Sequence, residues 1–417
     1  MILKNQISIY IIIMLEAMAC QEKKNKQENN VEENTASQEG TFGYDLSFLK
    51  KYKQVIVLKS PDDEKSQAIV VADYQGRVMT STAAGDSGNS YGWLNYELIK
   101  SGENKPHFNA LGGEDRFWFS PEGGQFSVYF KKGKSFVYEN WQTPAVIDSE
   151  PFDVVSSDAA SVRFKKKTVL ENNIGTKFDL LIERQVKMIS KAEIKNLLSV
   201  PDFENIKTIG YTSENAVTNL GEDWKKQTGA LGIWILGMFK PSPKTTIVAP
   251  FSKANSEKPL LTSNYFGNIP EDRLVIKDSA VFLKADGKFR SKIGLSPKSA
   301  RNTAGSYDAE KGILTIILYD LEPKGEYLKS TWELHKDPFG GDALNAYNDG
   351  PLEDGTQMGP FYELESNSNV LLLKKNEKLI HRHSTFHFEG QKAHLNKISK
   401  AVLGVDLDSV EETFSLK

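Results

Sequence analysis

The pattern of apolar and polar positions predicts a chain made mostly of β-strands. Segments rich in β-branched and aromatic residues are separated by Gly, Asn, Asp and Pro; they cover residues 54–60, 67–82, 125–130, 161–170, 177–190, 229–239, 245–251, 273–285 and 312–321. Residues 172–175 (NNIG) suit the turn of a hairpin. Helical periodicity is confined to residues 45–52, with Asp45 as cap, and 391–403, with Gly404 placed to end the helix. The pattern predicts an all-β fold, a large β-sandwich with a few short helices.

The stretch 359–390 combines strand patterns with an unusual density of titratable residues. Because side chains alternate along a strand, Glu363 and Glu365 share one face. In the last strand of the stretch His381, His383 and His387 share one face, backed by partly apolar residues. A polar face of this kind is typical of the floor of a binding groove.

Spacing limits the chemistry that these residues can perform. At about 3.3 Å per residue, His381 and His387 are about 20 Å apart, so the three histidines cannot share one ion. We therefore expect no metal there and interpret them as separate groove-lining groups, although strand histidines packed without a role fit equally well. Glu363 and Glu365 would lie about 6.7 Å apart on one side of a ligand, whereas glycosidase carboxyls flank the scissile bond. A hydrolase or lyase is thus the weaker alternative.

Residues 106–130 place an arginine and a tryptophan among carboxylates and glycine pairs. Arg116, Trp118, Glu114 and Asp115 offer planar donors, acceptors and a stacking face, which suits sugar hydroxyls and sugar rings. The alternative is a structural crossover, in which a neighbouring carboxylate neutralises Arg116 and the aromatic residues fill the core.

Three further candidates lie in polar segments. Asn219 can donate to and accept from hydroxyls, and Trp224 lies in a polar loop where it could stack on a sugar. Trp234 lies in an apolar run and is interpreted as a core residue. Asp349 belongs to the long loop 332–360, for which a calcium site is a less favoured alternative because the EF-hand spacing is absent.

The N-terminus predicts the compartment. A lysine, a short apolar run and small residues lead into Cys20, the single cysteine of the chain. We predict a lipoprotein signal peptide over residues 1–20 with Cys20 lipidated, the alternative being an ordinary cleaved signal with an incidental cysteine. Residues 21–40 are polar and predict a flexible tether, followed by a single β-sandwich domain with a C-terminal helix over residues 41–417. The expected location is the bacterial cell envelope, periplasmic or at the outer-membrane surface, with membrane contact through the lipid anchor only.

Composition narrows the possible partners. The 417 residues carry a net charge of −3 with dispersed basic residues, which disfavours nucleic acid as a partner. Neither a P-loop nor a dinucleotide-binding fingerprint is present in the sequence, and we expect no cofactor.

Short motifs connect the chain to a known superfamily. The Gly76-Arg77 step, the Thr218-Asn219 pair and the closing segment LKKNEKLIHRHSTFHF resemble the galactose mutarotase-like (aldose 1-epimerase) superfamily, and more closely an uncharacterised bacterial lipoprotein branch of it. The resemblance implies a large antiparallel sandwich that holds a sugar in its concave face. It also implies interconversion of aldose anomers, with a glutamate as base and a histidine as acid.

Carried over residue by residue, the resemblance makes Glu365 the catalytic base. Residues 217–234, where the superfamily takes its acid, contain no histidine, so His381 and His383 are the candidates for the acid, with His335 and His107 as alternatives. The expected substrate-binding residues are Arg116, Glu114, Asp115, Trp118, Asn219, Trp224, Asp349, Glu363 and His387. Two functions stay open: an epimerase-type enzyme acting on a mono- or oligosaccharide, and a non-catalytic carbohydrate-binding lipoprotein.

Overall fold

Two large antiparallel sheets and a smaller one carry the fold of the part of the chain that the structure describes. The computed structural model describes residues 38–200, 203, 205–252 and 260–414. The predicted signal peptide, Cys20 and all but the last three residues of the predicted tether lie outside the described residues. Within them, no helix combines the length and the apolar character needed to cross a membrane.

The ten-stranded sheet has the order β12-β13-β10-β15-β16-β19-β8-β7-β6-β5. Its strands are β5 Asp153–Ser157, β6 Ser161–Glu171, β7 Lys177–Met188, β8 Lys207–Asn219, β10 Thr245–Pro250, β12 Leu274–Lys277, β13 Ala280–Lys284, β15 Thr303–Asp308, β16 Ile313–Tyr319 and β19 Lys378–Glu389. The hairpin predicted at residues 172–175 joins β6 to β7.

The six-stranded sheet has the order β11-β14-β17-β18-β9-β4. Its strands are β4 Arg116–Ser120, β9 Gly232–Phe239, β11 Leu261–Thr262, β14 Ser291–Leu295, β17 Leu344–Asn348 and β18 Tyr362–Asn367. A three-stranded sheet completes the set with β1 Val55–Ser60, β2 Asp63–Val71 and β3 Arg77–Thr82.

A shared apolar core joins the two large sheets face to face. Leu364 and Ile293 of the six-stranded sheet pack in one cluster with Ile317 and Ile247 of the ten-stranded sheet. Phe386 and Phe388 lie on the other face of the ten-stranded sheet, where they pack against Leu395 of a C-terminal helix. The predicted antiparallel β-sandwich is therefore confirmed.

Short helices pack around the sheets. The α-helices of the described residues are α1 Phe42–Tyr52, α2 Tyr96–Ser101, α3 Lys191–Leu198, α4 Lys392–Val402 and α5 Leu407–Glu412. Helix α1 begins earlier than expected because Thr41, not Asp45, caps it by accepting from the Tyr44 N–H. The strand predicted at 125–130 is absent, and this segment is a loop over the six-stranded sheet.

The stretch 359–390 contains two strands that belong to different sheets. Strand β18 pairs with β9 and β17 in the six-stranded sheet, whereas β19 pairs with β8 and β16 in the ten-stranded sheet. The chain crosses from one layer to the other between Asn367 and Lys378. Residues that are close in sequence here are therefore separated by the thickness of the sandwich.

A buried ion pair ties three parts of the sandwich together. Arg184 of β7 donates to the carboxylate of Asp115, which precedes β4, and also to the Gly76 carbonyl and to Asn215 Oδ1. Both members of the pair are fully buried. Removing one member of a buried pair leaves the other charge uncompensated, so this contact constrains the fold strongly.

We expect Asp115→Ala to lower the free energy of unfolding by about 3–5 kcal/mol, because it leaves Arg184 buried without its carboxylate. Denaturant unfolding measures the change. The matched control is Glu183→Ala, which removes the exposed Lys378–Glu183 pair and should cost at most about 1 kcal/mol. Equal costs for the two variants would contradict the account.

Candidate functional site

The candidate site lies on the face of the six-stranded sheet that points away from the ten-stranded sheet. Because alternate residues of β18 point to opposite sides, Glu363 and Glu365 emerge on this face while Leu364 enters the core. Strand register brings side chains of the neighbouring strands beside them. We call this surface the sheet-face site, and its central residues are Arg116, Trp118, Trp234, Lys292, Glu363 and Glu365.

Glu365 lies at the centre of the site and is fully buried. Its Oε2 accepts hydrogen bonds from Trp234 Nε1 at 2.9 Å and from Lys292 Nζ at 3.0 Å. Burial alone would lower the pKa of Lys292, but the carboxylates of Glu365 and of two further glutamates raise it, so the ammonium stays charged. The ammonium also lies 4.7 Å from the centre of the Trp234 ring.

A second buried pair lies beside the first. Arg116 Nη2 donates to Glu363 Oε1 at 2.8 Å, and the guanidinium is held between the rings of Phe108 and Trp118. Burial raises the pKa of Glu363 to about 8; Arg116 opposes this rise and the neighbouring Glu365 adds to it. Glu363 is therefore a carboxyl group of the sheet that changes protonation near neutral pH.

A third carboxyl group enters from the loop that follows β4. Burial raises the pKa of Glu122, an effect that Lys292 reduces and Glu365 increases. The Glu122 side chain is hydrogen-bonded to Trp332, and its backbone N–H donates to Ser330 Oγ, which fixes the loop. The charges of Lys292 and Glu365 thus both act on the carboxyl group of Glu122.

Several polar atoms around this site are buried without a hydrogen-bond partner. Folded proteins pair almost all their buried polar groups, so such a concentration marks a surface where ligand or water groups bind. The atoms are Glu365 Oε1, Arg116 Nε and Nη1, Trp118 Nε1, Ser120 Oγ and, in the loop beside Phe108, Trp141 Nε1. They include both an acceptor and donors, and they adjoin indole rings.

The structure brings together four of the residues that the sequence singled out: Arg116, Trp118, Glu363 and Glu365. It does not bring His381 or His383 to them. Both histidines are buried between the two sheets, where Ser366 Oγ lies 2.8 Å from His381 Nε2 and 2.8 Å from His383 Nδ1. Ser366 follows Glu365 on β18 and so points to the opposite side, which corrects the expectation that these histidines line a groove with Glu365.

Burial makes these two histidines poor candidates for a proton donor at neutral pH. It lowers the pKa of His381 to about 3, with His383 adding to the effect, and the pKa of His383 to about 4. Both rings are therefore neutral well below pH 7, and their hydrogen bonds to Ser366 join the two sheets.

Three more candidates also lie in the interior of the sandwich. His387 Nε2 lies 3.0 Å from Glu114 Oε2, and Glu114 also accepts from Ser81 and from the hydroxyl of Tyr211. Asp115 forms its buried ion pair with Arg184. Arg116 and Trp118 lie two residues apart on β4 and face outward, whereas Glu114 and Asp115 precede the strand and contact His387 and Arg184 in the interior.

Asn219, Trp224 and Asp349 hold local structure. Asn219 bonds to the backbone at Glu222, Leu373 and Gly221 and so fixes the turn after β8. Trp224 is only 5% exposed and packs on a neighbouring Phe, so it offers no stacking surface, contrary to expectation.

Asp349 lies at the edge of the sheet-face site. It accepts from the hydroxyl of Tyr347 and from the Gly359 N–H, which positions these groups beside the outer face. These two hydrogen bonds indicate that Asp349 holds the wall of the site in place.

Sequence reasoning missed Lys292 and Glu122; it correctly predicted that Trp234 is buried but not that its indole N–H donates to Glu365. Lys292 occurs in SKIGL, a five-residue strand too short to stand out, yet a lone lysine in a buried strand is a usable signal. Trp234 occurs in a continuously buried strand, where alternation is hidden because both faces are covered. Within the described ranges, no group of three or more His, Cys, Asp or Glu side chains is placed to hold a metal ion.

The fold and site define a two-layer antiparallel sandwich with a buried, charged and aromatic face. The chain belongs to the family of unknown function DUF6786, whose family model matches residues 40–414. No curated protein matches the chain.

Solved structures with a similar fold include members of the superfamily that the sequence resembles. A proposed aldose 1-epimerase from Escherichia coli K12 is 11% identical, with 81% of this chain and 99% of that chain covered and a TM-score of 0.48. One from Klebsiella pneumoniae is 10% identical, with 85% and 89% covered and a TM-score of 0.46. A galactose mutarotase-like protein from Lactobacillus casei is 11% identical, with 81% and 100% covered and a TM-score of 0.43.

The raised pKa of Glu363 predicts how stability depends on pH. A carboxyl whose pKa is higher in the folded than in the unfolded state stabilises the fold fully below its unfolded value near 4.5. This contribution is lost as pH rises toward 8. We expect Glu363→Gln to flatten the fall in unfolding free energy between pH 5 and 8, as measured by denaturant unfolding at each pH.

The control for this pH series is Glu171→Gln, which changes an exposed glutamate at the end of β6. It should leave the pH dependence as in the unmodified protein. If Glu363→Gln also leaves the slope unchanged, Glu363 is not the titrating group.

Proposed function

We propose that this protein binds carbohydrate at the sheet-face site. The observation that carries the proposal is the set of buried, unpartnered polar atoms beside indole rings. A sugar hydroxyl can donate to Glu365 Oε1, and other hydroxyls can accept from Arg116 Nε and Trp118 Nε1. A sugar carries hydroxyl groups that both donate and accept, so one ligand class satisfies the acceptor and the donors.

Charge supports a ligand rich in hydroxyl groups. Hydrogen bonds to ionised groups are roughly twice as strong as those between neutral groups. In this site Glu365 can accept such bonds from a ligand and Arg116 can donate them. Lys292 and Glu363 already hold these two residues in place, so little rotamer entropy is lost when a ligand binds.

Acid–base catalysis is the second candidate function. Glu365 Oε2 accepts from the Lys292 ammonium while Glu365 Oε1 has no partner and can accept a proton, whereas burial raises the pKa of Glu122 and favours a proton donor. Two carboxyl groups whose surroundings differ in this way are the usual basis of an acid–base pair. Glu122 would replace the histidine acid expected from the superfamily.

The reaction that fits this pair is interconversion of sugar anomers. Glu365 would take the proton of the anomeric hydroxyl while Glu122 donates a proton to the ring oxygen, and the bond from the anomeric carbon to the ring oxygen breaks. The open-chain aldehyde then rotates and closes with both proton transfers reversed. If the pair does not turn over a sugar, the protein is a carbohydrate-binding protein only.

The proposed location is the bacterial cell envelope. Its support is the sequence pattern of residues 1–20, with Cys20 as the lipidated residue. Metabolic labelling with a fatty-acid analogue, lost in Cys20→Ser, is the expected outcome.

For binding, we expect Trp118→Ala to weaken the affinity for a sugar by about tenfold, since the hydrogen bond that Trp118 Nε1 donates to the sugar, worth about 1.4 kcal/mol, is lost. Calorimetry or saturation-transfer NMR with a panel of mono- and oligosaccharides measures this. The matched control is Trp224→Phe, a tryptophan remote from the site, which should bind as the unmodified protein does. Undiminished binding by Trp118→Ala, or no binding of any sugar, would contradict the proposal.

For catalysis, we expect Glu365→Gln and Glu122→Gln each to slow anomer exchange by about 10²–10⁴-fold, the range for loss of a general acid or base. NMR exchange spectroscopy on a bound sugar reports the rate, and Glu183→Gln is the exposed control. Exchange at the uncatalysed rate in the unmodified protein would leave binding as the function.

A further inference from the structure

A cleft of about 490 Å³ lies next to the sheet-face site. Its volume is in the range of small-ligand pockets, about 300–1,000 Å³. Apolar side chains of Leu98, Phe108, Ala110 and Met358 line part of it, and polar side chains from α2 and the following loop line the rest. An apolar surface edged by polar groups resembles the arrangement already described around Glu365.

Phe108 is a wall common to the cleft and the sheet-face site. While lining the cleft, its ring lies 5.0 Å from the Arg116 guanidinium and 5.2 Å from the Trp118 ring. Arg116 Nη2 in turn lies 2.8 Å from Glu363 Oε1. One phenyl ring and one guanidinium therefore connect the cleft to the carboxylates of the site.

The opposite wall is connected to the site as well. Met358 precedes Gly359, whose N–H donates to Asp349. Asp349 accepts from the hydroxyl of Tyr347, which lies in register with Glu363 and Lys292. Both walls of the cleft thus continue into the outer face of the six-stranded sheet.

We infer that this cleft is a second sugar-binding subsite, which takes the neighbouring unit of an oligosaccharide whose first unit occupies the sheet-face site. The inference rests on the proposed carbohydrate binding and adds the size of the ligand to it. Phe108 separates the two subsites, and its ring offers an apolar contact to the unit in the cleft.

The charges of the cleft define the chemical class of the ligand. Glu97 and Glu103 face one cation, Lys105, and this lysine is already paired with Glu103. The surplus negative charge repels carboxylate and phosphate groups. The ligand is therefore an oligosaccharide of neutral sugars, and uronic acids or sugar phosphates bind less tightly in this cleft.

The test compares ligand lengths on the full chain. Calorimetric affinities are measured for neutral hexoses and for their di- and trisaccharides, together with a disaccharide that contains a uronic acid. We expect the neutral disaccharide to bind about tenfold tighter than its monosaccharide, and the acidic disaccharide to lack this gain.

Two variants act on the cleft alone. Ser101→Trp places a bulky ring at the exposed end of α2, and Met358→Ala removes part of the apolar wall. Both should abolish the gain from the second sugar and leave the monosaccharide affinity unchanged. Ser157→Trp, at an exposed position on β5, is the matched control and should retain the gain.

The outcomes separate this inference from the function on which it rests. Monosaccharide binding with no gain for longer neutral ligands, or a gain that survives both cleft variants, overturns the second subsite and leaves carbohydrate binding intact. A complete absence of sugar binding overturns both.

Discussion

The ion pair between Lys292 and Glu365 is the contact around which the outer face of the six-stranded sheet is organised. Transferring two charges from water to a protein interior costs several kcal/mol for each ion, so the pair is tolerated only where hydrogen bonds and geometry compensate. Trp234 supplies one of these bonds, and the order β14-β17-β18 fixes the distance. A one-residue slip in β18 would turn Glu365 into the core, so the site and the strand register depend on each other.

The same alternation divides the polar residues of the molecule into two separate networks. On the outer side, carboxylates, cations and indoles leave several polar atoms without partners. Between the sheets, Glu114, Asp115, His381 and His383 bond mainly to other side chains and tie the layers together. The inner network ties the sheets together, although Asp115 Oδ2 and His383 Nε2 also lack partners, and the outer network combines its unpartnered atoms with charged groups and indole rings.

Local pattern was sufficient to predict the β-rich class, the sandwich and the shared face of Glu363 and Glu365, and the resemblance to a known superfamily added the antiparallel arrangement. It could not show that β18 and β19 belong to different layers, because that depends on pairing with distant strands. The histidines were therefore placed on the wrong side of the sandwich from Glu365. Lys292 is 73 residues from Glu365 in sequence and meets it only through β17, so no short-range signal joins the two.

The most direct test of this account is a crystal structure of the protein soaked with a neutral sugar that it binds. We expect a sugar on the outer face of the six-stranded sheet, with one hydroxyl within hydrogen-bond distance of Glu365 Oε1 and another within hydrogen-bond distance of Trp118 Nε1. A sugar bound elsewhere, with Glu365 Oε1 still unpartnered, would contradict it.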